Sequence, residues 1–463
     1  MQNNILDQAA GSRRQFLKNS TLLTAGGVIA ASLPSPLAVH AAGSSELKVA
    51  VIGCGGRGSG AAADCFAAGG NIKIVAVADA FEDKAKGAAK NIMAKCGPKA
   101  DIPTERIFSG LDAYQKAINC GVDMVILAGP PGFRPLHYEA AVKAGKHVFM
   151  EKPVCVCPGG FRRVMAANKL AEEKGLKVVV GLQRHHEASY QDSIKAIANG
   201  DIGDITLLRV YWNGAGIWNR ARKEGMSEMQ YQVNNWYHFA WLSGDNICEQ
   251  HVHNLDIGNW VMSAALKKEG ANWAHPVEAN GMGASLTRSY NGKDIQGQIF
   301  DAHFVEYTYE DGTKMYSQCR HQPGTMSGVS ETVHSTKQMK GIGVTSIAKG
   351  GKLKLGAYQQ EHLDLQEAIV NDKKHNEGWY GAISSMTAVL GRMATYSGKL
   401  VKWDELVTKG PDLFPAGNLT WDSQPPVMPD AEGFYPIPCP GKYDPMTGQG
   451  SSAPTPRKAV KKA

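Results

Sequence analysis

Leu47-Lys48-Val49-Ala50-Val51-Ile52-Gly53-Cys54-Gly55-Gly56-Arg57-Gly58-Ser59-Gly60 is the stretch that decides the fold. Leu47, Val49, Val51 and Ile52 read as a buried strand. Gly53 to Gly58 then spell G-x-G-x-x-G, and Ala61–Ala68 has helical composition. Gly53 allows a tight turn. Gly55, with Gly56 and Arg57 beside it, lets backbone amides approach a pyrophosphate, and Gly58 lets the helix pack close to the strand. The helix start turns free N–H groups and a positive dipole end towards an anion. The motif alone is a weak signal, and its strand–turn–helix setting strengthens it. A second strand, Ile72–Ala78, ends in Asp79, at about the spacing (roughly 20 residues or slightly more) of a carboxylate that accepts hydrogen bonds from an adenosine ribose.

Working outward, helical and apolar stretches alternate. Phe81–Cys96 and Asp112–Asn119 read as helices. Val122–Ala128 is a continuous apolar strand, as a sheet covered on both faces requires. Gly129-Pro130-Pro131 breaks it before a helix over Leu136–Ala144. His147–Met150 is the next strand and ends in Glu151-Lys152-Pro153. A helix over Gly160–Lys174 leads to a strand over Val178–Gly181, followed by Gln183, Arg184 and His185. This alternation predicts an α/β fold with a doubly wound parallel sheet of Rossmann type over residues 42–181. The texture changes at Ile202. Ile205–Trp212, Val277–Leu286, Gln296–Tyr309 and Lys314–Gln318 have strand character, and Asn234–Met262 reads as helical. A second α/β domain over 182–413, with a large, mostly antiparallel open sheet, is expected. Helices at Leu363–Val370 and Ser384–Tyr396 are expected to pack back on the body. Residues 414–463 read as an extended tail, disordered beyond Thr447.

At 463 residues, 43% hydrophobic and 20% charged, the chain has the composition of a globular protein with a full core. Its formal charge of +7 is mild, and no basic stripe with interleaved aromatics is visible, so nucleic acid is not an expected partner. Residues 1–41 read as an address. Ser12-Arg13-Arg14-Gln15-Phe16-Leu17-Lys18 precedes a modest apolar run, and small residues surround Val39-His40-Ala41. This resembles a twin-arginine signal, which implies the twin-arginine export machinery as a partner and a periplasmic or otherwise exported location. Such export carries folded proteins, often with cofactor already inserted. The nine cysteines form no framework. Cys155-Val156-Cys157 has no second pair and no histidine at ligand spacing, so no metal is expected.

The chemistry is expected at strand ends. Lys152 lies where an ammonium can stabilise charge on a substrate oxygen. On a continuous helix Glu249, His253 and Asp256 follow i, i+4, i+7 and share a face suited to acid–base work. A solvated salt-bridge row, a metal site, which lacks a third convergent ligand because His251 is on the wrong face of a helix, and a core histidine are the competing readings. Trp212, Trp218, Asn219, Asn235, Trp236 and Tyr237 suit a sugar-binding wall, and equally a core.

Together, the glycine motif, Asp79, Glu151-Lys152-Pro153, Gly181-Leu182-Gln183-Arg184 and His253-Asn254-Leu255-Asp256 resemble the glucose–fructose oxidoreductase, inositol dehydrogenase and rhizopine-catabolism (Gfo/Idh/MocA) family. The resemblance runs from about Leu47 to about Tyr396. It implies a nicotinamide cofactor, tightly bound and held by Gly53, Gly55, Gly56, Arg57, Gly58, Asp79, Glu151, Lys152 and Gln183. NAD is favoured over NADP because Asp79 would repel a 2′-phosphate. It implies Lys152, His253 and Glu249 as catalytic residues, with Lys152 polarising a hydroxyl and His253 as general base. Family members usually have Asp where Glu249 stands, so its longer side chain either orients His253 or binds a sugar hydroxyl. Arg184, His185, Asn235, Trp236, Tyr237 and Asp256 are the expected substrate contacts, and a homo-oligomer through the C-terminal sheet is expected. The main expectation is hydride transfer from a secondary hydroxyl of a sugar, glycoside or cyclitol. One alternative resembles glycoside hydrolase family 109, with an oxidation–elimination–reduction cycle on tightly held NAD. Another is a non-catalytic sugar- or nucleotide-binding protein.

Overall fold

The computed structural model describes residues 46–285, 289–290, 293–294, 297–351, 353–431 and 433–452. The expected signal segment, residues 1–41, and the last eleven residues of the tail lie outside the described residues.

Six strands, β1 (Leu47–Ile52), β2 (Ile72–Asp79), β3 (Ile107–Ser109), β4 (Met124–Leu127), β5 (His147–Met150) and β6 (Val178–Val180), form one sheet in the order β3-β2-β1-β4-β5-β6. Every pairing in it is parallel. Helices α1 (Gly56–Ala67), α2 (Glu82–Cys96), α3 (Ala113–Asn119), α4 (Arg134–Lys143) and α5 (Pro158–Glu173) connect these strands. β4 and β6 are buried at every position. Each such aliphatic side chain contributes on the order of 1.5–3 kcal/mol on burial, which is why these strands read as continuous apolar runs and not as alternations. The order reverses at β1/β4, so the carboxyl ends of these strands open on a crevice.

After α6 (Ala188–Ala198), β7 (Ile205–Gly214) begins the second sheet. Then come α7 (Glu228–Asn234), α8 (Ala240–Ser243), α9 (Asn246–Glu249) and α10 (Val252–Leu266). They are followed by β8 (Glu278–Ala284) and the small pair β9 (Ser289–Tyr290) and β10 (Lys293–Asp294). β11 (Ala302–Thr308), β12 (Lys314–His321), β13 (Gly328–Ser335) and β14 (Ile342–Gly343) complete the run, with β15 (Val401–Lys402) after two long helices. The order is β14-β13-β7-β12-β11-β8-β15, antiparallel except for β12 on β7. β12 alternates strictly: Met315, Ser317, Cys319 and His321 are buried, while Lys314, Tyr316, Gln318 and Arg320 are partly exposed. One face of the sheet is therefore covered and the other open.

The two late helices return to the body. α11 (Ala357–Val370) packs on α1, with Leu365 and Ile369 in the core of the first sheet. α12 (Gly378–Ser397) is buried around its circumference between β8 and α5, so it joins both halves.

Three expectations change. The stretch 234–262 is not one helix: Gly244 and Asp245 both adopt positive φ, at 76° and 74°, and separate α8 from α9, and the chain breaks again at Gln250 and His251 before α10. The expected strand Gln296–Tyr309 begins only at Ala302. Beyond Thr447 the chain still pairs, with β17 (Ser451–Ser452) antiparallel to β16 (Ile437–Pro438). The short helix α13 (Trp403–Lys409) precedes this tail. The tail then braces the segment between β7 and α7. Ser227 Oγ donates to the Trp421 carbonyl at 2.7 Å, Gln232 Nε2 to the Val427 carbonyl at 2.7 Å, and the Trp421 ring lies 5.2 Å from that of Phe81.

Candidate active site

Two adjoining cavities, of about 370 and 270 Å³, lie at the carboxyl ends of β1, β2, β4 and β5. They share Arg57, Ala128, Gly129, Trp236, Glu249 and Gln250.

The glycine turn forms the floor. A Cβ on Gly53, whose φ is +99°, would sit 2.2 Å from the Gly129 nitrogen, and one on Gly58 would sit 1.8 Å from the Gly53 carbonyl oxygen. Those two glycines are demanded by the fold itself. Gly55 and Gly56 have no heavy atom within 4 Å of a built Cβ, so their backbone faces open cleft that a side chain would fill. Gly55 caps α1 without any side-chain hydrogen bond, leaving the amides of a twelve-residue helix to meet an anion. At the rim, Asp79 Oδ2 accepts from the Cys54 N–H at 2.7 Å and Oδ1 from the Phe81 N–H at 2.9 Å. This ties the glycine turn to the end of β2 while Asp79 still lines the larger cavity. The residues fit a dinucleotide.

The smaller cavity holds the reactive groups. Glu151 accepts from Arg57 Nη2 at 2.6 Å. Lys152, before a cis proline, donates from Nζ to the Glu249 backbone oxygen at 2.5 Å and lies 3.3 Å from Glu249 Oε1. His253, at the start of α10, presents its ring to the same cavity, nearly parallel to Trp212 at 5.9 Å. Burial holds the imidazole well below its ordinary pKa, and the charges of Lys152, Arg184 and Arg57 push the same way. His253 is therefore neutral and free to accept a proton. Gln183 lines this cavity too, its Oε1 without a hydrogen bond. Lys152, Glu249, His253, Gln183 and Trp236 thus converge.

Four of the expected substrate contacts, Asp256, His185, Arg184 and Asn235, line neither cavity. α9 ends at Glu249 and α10 begins at Val252, so Glu249 and Asp256 do not share one helical face. Asp256, 1% exposed, faces away. Its Oδ2 lies 2.7 Å from His185 Nε2, and its Oδ1 accepts from Ser384 Oγ at 2.8 Å. The His185 ring is stacked between Trp260 and Tyr380 at 3.9 and 4.1 Å. Arg184 is taken by Glu331 at 2.5 Å. These three buttress β6, α10 and α12. Asn235 is fully buried and holds the chain above the cleft, accepting from the Arg220 N–H at 2.9 Å. Tyr237 borders the larger cavity with its hydroxyl 3.0 Å from His321 Nε2. Sequence reasoning missed Lys84 and Arg220 on the rim of the larger cavity and Arg134 in the smaller one. Arg134 stands just after the Gly-Pro-Pro-Gly break at the end of β4, where ligands to a doubly wound sheet gather. Among the described residues no group of three or more His, Cys, Asp or Glu side chains could hold a metal ion.

A doubly wound sheet, a glycine-lined anion cradle and a lysine–imidazole pair contributed by two halves of the chain have the form of a dinucleotide cleft. Residues 47–182 match the GFO_IDH_MocA model, described as an oxidoreductase family with an NAD-binding Rossmann fold. An inositol 2-dehydrogenase of Klebsiella pneumoniae is 32% identical over 167 residues, covering 35% of this chain and 45% of the relative. Inositol 2-dehydrogenase 1 of Saccharopolyspora erythraea is 26% identical over 220 residues, covering 48% and 56%. The chain spans about half the length of these curated relatives. Two solved structures share the fold over nearly their whole length. The myo-inositol dehydrogenase of Lactobacillus casei in complex with NAD(H) and myo-inositol has a TM-score of 0.56 and 15% identity, covering 82% of this chain and 100% of its own. The aldose-aldose oxidoreductase of Caulobacter crescentus complexed with glycerol has a TM-score of 0.57 and 16% identity, covering 77% and 100%.

Proposed function

We propose that this protein is a nicotinamide-dependent oxidoreductase acting on a secondary hydroxyl of a sugar, glycoside or cyclitol. The observation that carries the reading is the convergence of Lys152 and His253 on one cavity that adjoins the glycine cradle. A bound nicotinamide dinucleotide would supply the hydride acceptor. Gly55, Gly56 and the start of α1 would hold its phosphates, and Asp79 its adenosine ribose. Neutral His253 accepts the hydroxyl proton of the substrate. Lys152, aimed by Glu249, stabilises the charge that develops on that oxygen. Trp212 and Trp236 offer flat faces to a sugar ring.

Asp79 supports NAD as the cofactor. Trp218, Arg220 and Trp236 wall the outer side of the larger cavity, and the tail braces that wall, which supports a tightly held cofactor. That enclosure also favours a second reading, the oxidation–elimination–reduction cycle of a net glycosidase, since a trapped cofactor must be restored in place. The two separate in one assay: NADH formed with a sugar and cyclitol panel supports the dehydrogenase, and aglycone released from nitrophenyl glycosides without added NAD supports the glycosidase. Lys152→Ala is expected to lower either turnover by about 10²-fold or more while NAD still binds. Turnover unchanged in that variant contradicts the role given to Lys152 in both, and a wild-type protein that binds sugar or nucleotide but turns over neither panel favours a binding protein. Twin-arginine export rests on Arg13-Arg14, and a homo-oligomer on the open sheet face, where Met282 pairs with the half-exposed Phe304. The mass of the purified protein and its first residue test both: a monomer or an uncleaved start counts against the respective proposal.

A further inference from the structure

The smaller cavity carries one more positive charge than a neutral sugar needs. Its charged lining residues are Arg57, Arg134 and Lys152 against Glu151 and Glu249. Arg57 is paired with Glu151 and Lys152 with Glu249, and His253 is neutral. The surplus cation is Arg134. It begins α4, is 3% exposed, and is held by one hydrogen bond, from Nη1 to the Leu127 backbone oxygen at 2.6 Å. Its Nε is buried with no partner, and no carboxylate among the described residues forms an ion pair with it. Glu151 and Glu249 are close enough to act on it electrostatically, but each already has its own cation. A buried guanidinium with unused donors is costly unless something arrives to use them, and its planar fork matches a carboxylate.

We propose that Arg134 is the ligand for an anionic group on the substrate, so that the site takes a sugar bearing a carboxylate, a uronate or an aldonate. This rests on the reading of the cleft given above and names the substrate class within it. The anion would sit beside the glycine-rich end of β4, across the cavity from His253 on α10, with a hydroxyl of the same ring left to Lys152. Binding is the whole of the proposal: no bond is made or broken at Arg134, and the carboxylate leaves as it came.

The test is the affinity of the NAD-loaded full-length protein for matched pairs, D-glucuronate against D-glucose, D-galacturonate against D-galactose and D-gluconate against D-glucitol, by titration calorimetry. At least one anionic partner is expected to bind about tenfold tighter than its neutral match or better, as a charge-assisted pair in a closed site allows. Arg134→Gln should bring the two within about threefold of each other, and Arg134→Lys, which keeps the charge but not the fork, should restore part of the preference. No preference in any wild-type pair overturns the proposal, whether or not the variants fold. Equal preference in wild type and Arg134→Gln also overturns it, as does an Arg134→Gln protein that loses NAD while sugar discrimination is untouched. If the wild-type protein binds no NAD at all, the reading of the cleft fails first, and that result is visible before any sugar is added.

Discussion

At the scale of single residues, the site works through charges that hold one another in place. Lys152 and Glu249 come from different halves of the chain and meet at 3.3 Å, with the backbone oxygen of Glu249 closer still. The carboxylate of Glu249 therefore lies on the lysine, and in the function proposed above Glu249 would position Lys152 and leave the proton to His253. Behind the cleft the sign reverses. Burial alone would pull His186 down, but Glu377 and Asp364 outweigh it and raise its pKa to about 10. Its Nδ1 lies 2.5 Å from Asp364 and its Nε2 3.3 Å from Glu377. A histidine raised above its unfolded value of about 6.5 stabilises the fold fully below that pH, and the contribution is lost as pH rises through about 10. Thermal melts from pH 6 to 10.5 should show the wild type losing stability above neutrality, while His186→Gln starts lower and varies less. Parallel curves for the two proteins would contradict this assignment.

At the scale of elements, the legible and the hidden parts of the site separate cleanly. The glycine turn, β2 ending at Asp79, Lys152 just past the end of β5 and the cluster after β6 could be read because each follows a short apolar run closed by a breaker. The face shared by Glu249, His253 and Asp256 could not. The chain breaks between α9 and α10 at Gln250 and His251, a pair with neither glycine nor proline to announce it, so periodicity ran straight through. The earlier break, at Gly244 in the left-handed region, also falls inside the stretch read as helical. β13 went unread because Gly328, Val329 and Ser330 are all exposed, and its alternation starts only at Glu331. The wall over the larger cavity was hidden for another reason: residues 215–227 have no regular pattern, and their position depends on a tail two hundred residues away. That dependence is testable. Trp421→Ala removes the ring beside Phe81 and should speed the loss of bound dinucleotide on dilution severalfold without altering the fold, as far-ultraviolet circular dichroism reports. An unchanged dissociation rate would show that the tail does not hold the wall.

At the scale of the whole molecule, α12 decides the arrangement. It is buried on all sides between the second sheet and the helices of the first, so the glycine cradle and His253 share one packed framework. The solved neighbours are matched almost to their full length, while roughly a fifth of this chain lies outside the shared fold, more than residues 1–45 account for. A crystal structure of the full chain with NAD⁺ tests the central claim most directly. The account predicts the pyrophosphate against the amides of Gly55 and Gly56, and the nicotinamide ring facing both Lys152 Nζ and the His253 imidazole. A dinucleotide bound elsewhere, or a cleft still empty at saturating NAD⁺, would contradict it.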